Sequence, residues 1–221
     1  MKTIHFLVEG PTEEKFIKTL IQPFCQSLGL RAEPIIVFTQ KEKSGRKFKG
    51  GHASYQNVRE DILRLLYDTS AVLVTTLIDF YGLPGEYPGK NKLPRGDCYD
   101  QVQYLEQMFA KDINHRKFIP FFMLYEFEGL LFSSPDDIAR FFPGQKVLQK
   151  FRKIKNSFPT PEKINGGKET HPSARISRLL PEYRKALHGP LIATQIGLEK
   201  IRHECPHFNE WLLKLEQSEQ V

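Results

Sequence analysis

The chain is poor in the residues that build crosslinked or membrane-bound folds. Of its 221 residues, three are cysteine, three methionine and one tryptophan. Cys25, Cys98 and Cys205 are odd in number, widely spaced and form no CxxC pair. Neither a disulfide framework nor a cysteine-based zinc site is indicated, and a reducing cytoplasm fits that usage. No apolar run approaches the ~20 residues that cross a bilayer, so no membrane association is expected. The stretch Met1-Lys-Thr-Ile-His-Phe6 leads straight into strand-like sequence, without the apolar core and cleavage site of a signal peptide. A Walker motif is missing, so any use of ATP would have to come from a partner. Zinc at His203, Cys205 and His207 is disfavoured, because Pro206 interrupts the set and a second ligand pair is lacking.

What is present supports one core: 40 % hydrophobic residues, including 17 Phe. Apolar runs predict strands at Lys2–Val8, Glu33–Thr39, Ala71–Ile78 and Lys117–Leu124. Helical spacing predicts a helix opened by Pro11 and running to Leu28, with Pro23 as a kink and Gly29 as C-cap. Further helices are expected over Ser54–Tyr67 and after an Asp97 N-cap. Seven Gly and Pro residues between positions 82 and 96 exclude regular structure there. Strand–helix alternation over residues 1–133 predicts an α/β core with a mostly parallel sheet flanked by helices. Residues 134–221 read as a helical C-terminal extension of the same domain, with helices at Pro135–Phe142, Val147–Phe151, Ser173–Leu187, Pro190–Glu204 and Pro206–Leu215, preceded by one at Gly129–Phe132. His5 is placed on a strand near the surface, and Trp211 in helix packing.

Acids gather where strands end. Glu9 and Glu13 follow the first strand, Asp79 closes the third, and Glu126 and Glu128 follow the fourth. Ligands of open α/β sheets bind at the carboxyl ends of the strands. Carboxylates crowded there repel one another unless a cation neutralises them, which points to Mg²⁺ or Mn²⁺. Glu9 ends an apolar strand, whereas Glu13 is equally explained by the helix dipole. Glu126 and Glu128 flank Phe127 and would share one side of an extended segment. The net charge of +6 clusters at Lys41, Lys43, Arg46, Lys47 and Lys49, and again at Lys146, Lys150, Arg152, Lys153 and Lys155. Beside an acidic metal site, such basic segments suit a polyanion; alone, they are equally a solvated surface.

These residues carry a resemblance. Glu9-Gly-x-Thr-Glu13, Asp79-x-Tyr81-Gly82 and Glu126-x-Glu128-x-Leu-Leu-Phe132, each after a strand, resemble a TOPRIM domain. In particular they resemble TOPRIM nucleases of the OLD (overcoming lysogenization defect) type, and a small stand-alone bacterial TOPRIM family whose genes often neighbour ATPases. The likeness extends to His171-Pro-Ser-Ala-Arg175 and Cys205-Pro-His-Phe-Asn-Glu-Trp211. It implies a metal-dependent nuclease, with Glu9, Asp79, Glu126 and Glu128 as metal ligands and Glu13 as a companion acid. It also implies nucleic acid as substrate, an ATPase partner, a role in phage defence and a possible homo-oligomer. Tyr81 stands where the family has a second Asp, so a non-catalytic sensing subunit is the alternative. A late catalytic cation is expected, with Lys168 as candidate and Arg175 as alternative. Tyr81 and Arg175 join the basic segment 41–49 as candidate nucleic-acid contacts.

Overall fold

The structure, a computed structural model, describes residues 2–37, 54–143, 146–165, 167 and 169–217. The element order is β1 (Thr3–Val8), α1 (Pro11–Phe16), a π turn (Ile17–Ile21), α2 (Gln22–Ser27), β2 (Arg31–Ile36), α3 (Tyr55–Leu66), β3 (Ala71–Asp79), α4 (Cys98–Ile113), β4 (Phe118–Ile119) and β5 (Phe122–Met123). There follow a 3₁₀ helix (Phe127–Ser133), α5 (Pro135–Phe141), α6 (Leu148–Asn156), α7 (Pro172–Leu179), α8 (Lys185–Ile196), α9 (Leu198–Glu204) and α10 (Pro206–Gln217). Short 3₁₀ turns sit at Lys90–Lys92 and Pro161–Lys163. The sheet runs β2-β1-β3-β4, with β5 also on β3, and every pairing is parallel. This is the expected α/β architecture with a parallel sheet flanked by helices.

Period-two alternation splits each central strand between two cores. Ile4, Phe6, Val8, Leu73 and Leu77 face one core, shared with α1 and with residues of the later helices such as Ile176, Ile192, Phe208 and Leu215. Leu7, Val74 and Ile78 face the other, covered by α3 and α4 through Val58, Ile62, Leu105 and Phe109. Trp211 is a packing residue: it stacks on Phe121 at 4.4 Å, and its indole N–H donates to Thr75 Oγ1 at 2.9 Å. His5 is buried rather than superficial, its Nε2 2.8 Å from Asp68 Oδ2.

Proline explains most departures from the expected elements. Pro120 cannot donate a ladder hydrogen bond, so the fourth strand is two short ones rather than Lys117–Leu124. The Thr76 hydroxyl bridges the gap, donating to Phe121 O and accepting from Phe121 N, both at 2.9 Å. Pro23 falls in the first turn of α2, behind the π turn, where a missing N–H does least harm. The single helix expected to Leu28 is therefore three pieces. It closes as expected at Gly29 (φ +70°), with Gly29 N–H on Gln26 O and Leu30 N–H on Cys25 O, a Schellman end. Pro181 separates α7 from α8, so Ser173–Leu187 is not continuous. Pro190 lies inside α8 rather than starting a helix, and Gly197 (φ +84°) parts α8 from α9. β2 begins two residues earlier than expected, and its expected end at Thr39 lies outside the described residues. A 3₁₀ turn at Lys90–Lys92 interrupts the Gly/Pro-rich segment expected to be irregular.

Candidate active site

Because the strands are parallel, their carboxyl ends share one edge of the sheet. Glu9 leaves β1, Asp79 ends β3, and Glu126 and Glu128 follow β5. Glu9 Oε2 accepts from Asp79 N at 3.4 Å, which joins the first two strand tips directly. Glu13 lies in the first turn of α1 and is 6 % exposed. Asp79 Oδ1 accepts from Phe127 N at 3.1 Å, which ties β3 to the start of the 3₁₀ helix.

Glu126 and Glu128 do not share an extended segment. Tyr125 takes a left-handed φ of +61°, uncommon for a residue with a side chain. Glu126 is extended, and the 3₁₀ helix begins at Phe127. The two acids therefore turn to different partners. Glu126 Oε2 accepts from Ser173 N at 3.0 Å and lies 3.1 Å from His171 Nδ1; its Oε1 accepts from Ser173 Oγ at 3.2 Å. Ser173 is thus bound to Glu126 rather than capping α7, and His171 is the cap. Fully buried Glu128 accepts from Tyr183 OH at 3.2 Å through Oε1.

Among the described residues, one cation joins Asp79 and Glu128, and it is Lys185. Its Nζ is 3.0 Å from Glu128 Oε2 and 3.5 Å from Asp79 Oδ2. Pro181 ends α7, and Lys185 then opens α8. A lysine in a first helical turn opposes the helix dipole; here the carboxylates outweigh that. The Lys185 side chain keeps 38 % of its surface exposed, so it stands at the rim of the cluster. Desolvation alone would lower its pKa; Asp79, Glu128, Glu13 and Glu126 outweigh that and hold it raised.

The acids outnumber this one cation. Burial, opposed by Lys185, pushes Glu13 up to about 7, with Glu9 and Glu128 adding to the rise. Asp79 and Glu128 are raised as well, first by burial, then by neighbouring carboxylates, against the pull of Lys185. Glu128 Oε2 is close to Lys185 but out of line for a hydrogen bond, and so is buried with unused acceptor capacity.

Of the other expected residues, Tyr81 is at this edge, its N–H on Tyr125 O at 3.0 Å and its ring 5.3 Å from that of His171. Arg175 is not the site cation: its guanidinium bonds Thr170 O and lies over the Phe158 ring. Lys168 and the segment Lys41, Lys43, Arg46, Lys47 and Lys49 lie outside the described residues. In the second basic stretch, Arg152 pairs with Asp136 and Lys155 with Glu204, while Lys146, Lys150 and Lys153 are exposed. Sequence reasoning missed Lys185 and Tyr183. The signals that could have found Lys185 were Pro181, which breaks the helix, and the misfit of a lysine just after it.

The family model described as a domain of unknown function, DUF4276, matches residues 8–216. The chain belongs to the DUF4276 family. No curated protein and no solved structure matches it significantly. The DUF4276 match takes in all five strand-end acids together with Lys185.

The donor chemistry at this edge fits a hard divalent cation: oxygen ligands only, excess negative charge, and a buried Glu128 Oε2 with an unused lone pair. Yet among the described residues no group of three His, Cys, Asp or Glu is arranged to hold a metal. Lys185 is the cation around which these side chains are disposed. Among the described residues no helix is long and apolar enough to cross a membrane.

Proposed function

We propose that this DUF4276 chain is a metal-dependent nuclease that hydrolyses phosphodiester bonds, of TOPRIM/OLD-like type. One observation carries the reading: acids from three strand ends and an adjoining helix gather at the carboxyl edge of a parallel sheet, where Lys185 meets Asp79 and Glu128 and Glu9 accepts from Asp79 N. Glu9, Asp79 and Glu128 would hold Mg²⁺ or Mn²⁺, which would supply Lewis-acid activation of water and neutralise phosphoryl charge. Glu126 is fully engaged by Ser173 and His171, so its part is to fix the loop between β5 and the 3₁₀ helix. Glu13, poised near neutrality, can hold or accept a proton beside the reacting phosphate. The Lys185 ammonium at the rim can meet the negative charge that develops on the phosphoryl group. Lys185, not Lys168, is the proposed late cation.

The resemblance adds the wider setting: a cytoplasmic bacterial defence effector that works with an ATPase partner. A second reading is a degenerate subunit that binds or senses, and Tyr81 favours it, because an aromatic ring packed on His171 stands where the resemblance places a second acid. Cleavage of labelled plasmid DNA, oligonucleotides and tRNA with Mg²⁺, Mn²⁺ or EDTA tests the choice. Metal-dependent cutting that is lost in Glu9→Ala and Asp79→Ala supports the nuclease. No cutting of any substrate, with or without an ATPase of the kind the resemblance implies, would favour the sensing subunit.

A further inference from the structure

Asp79 and Glu128 are held alike. Each has one oxygen fixed by a protein donor, Asp79 Oδ1 by Phe127 N and Glu128 Oε1 by Tyr183 OH. Each presents its other oxygen to Lys185, at 3.5 and 3.0 Å. These presented oxygens are the ones a metal would take. A divalent ion on them would stand beside the ammonium in a site of low dielectric, where like charges repel strongly. The two cations therefore exclude each other.

We propose that Lys185 is an exchangeable cation. It neutralises Asp79 and Glu128 when the metal is absent, leaves them when Mg²⁺ or Mn²⁺ binds, and swings outward to the substrate phosphate. The inference rests on the metal-dependent reading above. Three features suit an exchange. The Glu128 Oε2 contact is close but not aligned as a hydrogen bond, so charge rather than geometry holds it. The Lys185 side chain is partly exposed and so has a way out. Its flexible four-carbon stem can relocate the ammonium without moving α8. Metal affinity and the position of Lys185 are then linked, and each biases the other.

Two measurements on the full chain test this. Mn²⁺ affinity, read from the electron paramagnetic resonance of free Mn²⁺, is compared for wild type, Lys185→Gln and Lys90→Gln, the last removing an equal charge that lies 4.0 Å over the ring of Phe80, the residue after Asp79. Lys185→Gln should bind Mn²⁺ about tenfold more tightly, a coupling typical of two linked ligands, with a clearly smaller change in Lys90→Gln. In wild type, amine-reactive labelling of Lys185, read by peptide mass spectrometry, should rise about fivefold on saturation with Mg²⁺; this arm needs no variant to fold. Unchanged labelling at saturation, or equal affinity gains in both variants, overturns the exchange while leaving metal binding intact. If neither wild type nor Lys185→Gln binds Mn²⁺, the metal-dependent reading falls with it.

Discussion

Two buried charge clusters lie on this sheet, and they are built to opposite ends. Around His207, the ring Nε2 lies 3.1 Å from Glu106 Oε1 and 3.2 Å from Phe122 O. Glu106 also accepts from Phe122 N, and Glu162 accepts from His207 N, Phe208 N and Tyr99 OH. Desolvation would lower His207; Glu106 and Glu162 outweigh it and keep the imidazole raised toward its charged form. Two acids there meet one imidazole and four N–H or O–H donors. At the strand tips, Asp79 and Glu128 share the Lys185 ammonium, while Glu9, Asp79, Glu126 and Glu128 also accept from Asp79 N, Phe127 N, Ser173 and Tyr183 OH. The first cluster pairs its acids with donors inside the protein and pins α10 to α4 and β5, leaving only His207 Nδ1 of its ring nitrogens without a hydrogen bond. The second crowds more acids than cations, and burial followed by neighbouring carboxylates raises three of them, Glu13, Asp79 and Glu128.

The largest effect should separate the two by activity. Asp79→Asn and Glu128→Gln should each lower nucleic-acid cleavage by about 10³-fold, with thermal midpoints unchanged or raised, because each removes repulsion. A large fall in midpoint in both variants would make the strand-tip cluster structural, like its counterpart. Next, Glu162→Ala should destabilise the chain by about 3–5 kcal/mol, since it strands buried partners. Urea unfolding measures this, and a loss below about 1 kcal/mol would mean that the His207 cluster is not a structural lock.

The pH dependence sharpens the contrast. Burial holds the Glu13 carboxyl up at about 7 in the fold, above its ordinary 4.5. The folded chain then holds more protons than the unfolded one between those values, so stability is full below pH 4.5 and falls as pH rises through 7. In metal-free buffer the loss attributable to Glu13 should be at most about 3 kcal/mol, and Glu13→Gln should flatten that slope. An equal slope in the variant would remove Glu13 as its source. The smallest effect concerns the scaffold. Thr76→Val leaves Phe121 N and O without their hydroxyl partner, and should cost about 2 kcal/mol with metal affinity unaltered. A change in metal affinity would show that the strand break is coupled to the site.

Much of this was legible along the chain. The apolar runs of β1 and β3 are long and free of proline, so their positions and the acids at their tips could be read directly. Glu9 and Asp79 came from that pattern alone. Glu126 and Glu128 were found for a reason that did not hold: the left-handed Tyr125 and the 3₁₀ turn send them apart. The β4–β5 break had a visible cause in Pro120, but its repair by Thr76 did not, since that residue lies 45 positions away.

The sequence by itself determined the parallel sheet and the gathering of acids at one edge. Strand polarity follows from strand–helix alternation, and an acid closing an apolar strand must emerge where that strand does. Only the tertiary structure chose the cation. In the linear chain Lys185 is one basic residue among 32, and its place just after Pro181 does not say which acids it will meet. It is selected because α8 packs against α1 and the 3₁₀ helix, which carries its ammonium to carboxylates more than fifty residues distant. Coulomb attraction acts through space, and the chain's order does not record which charges will meet.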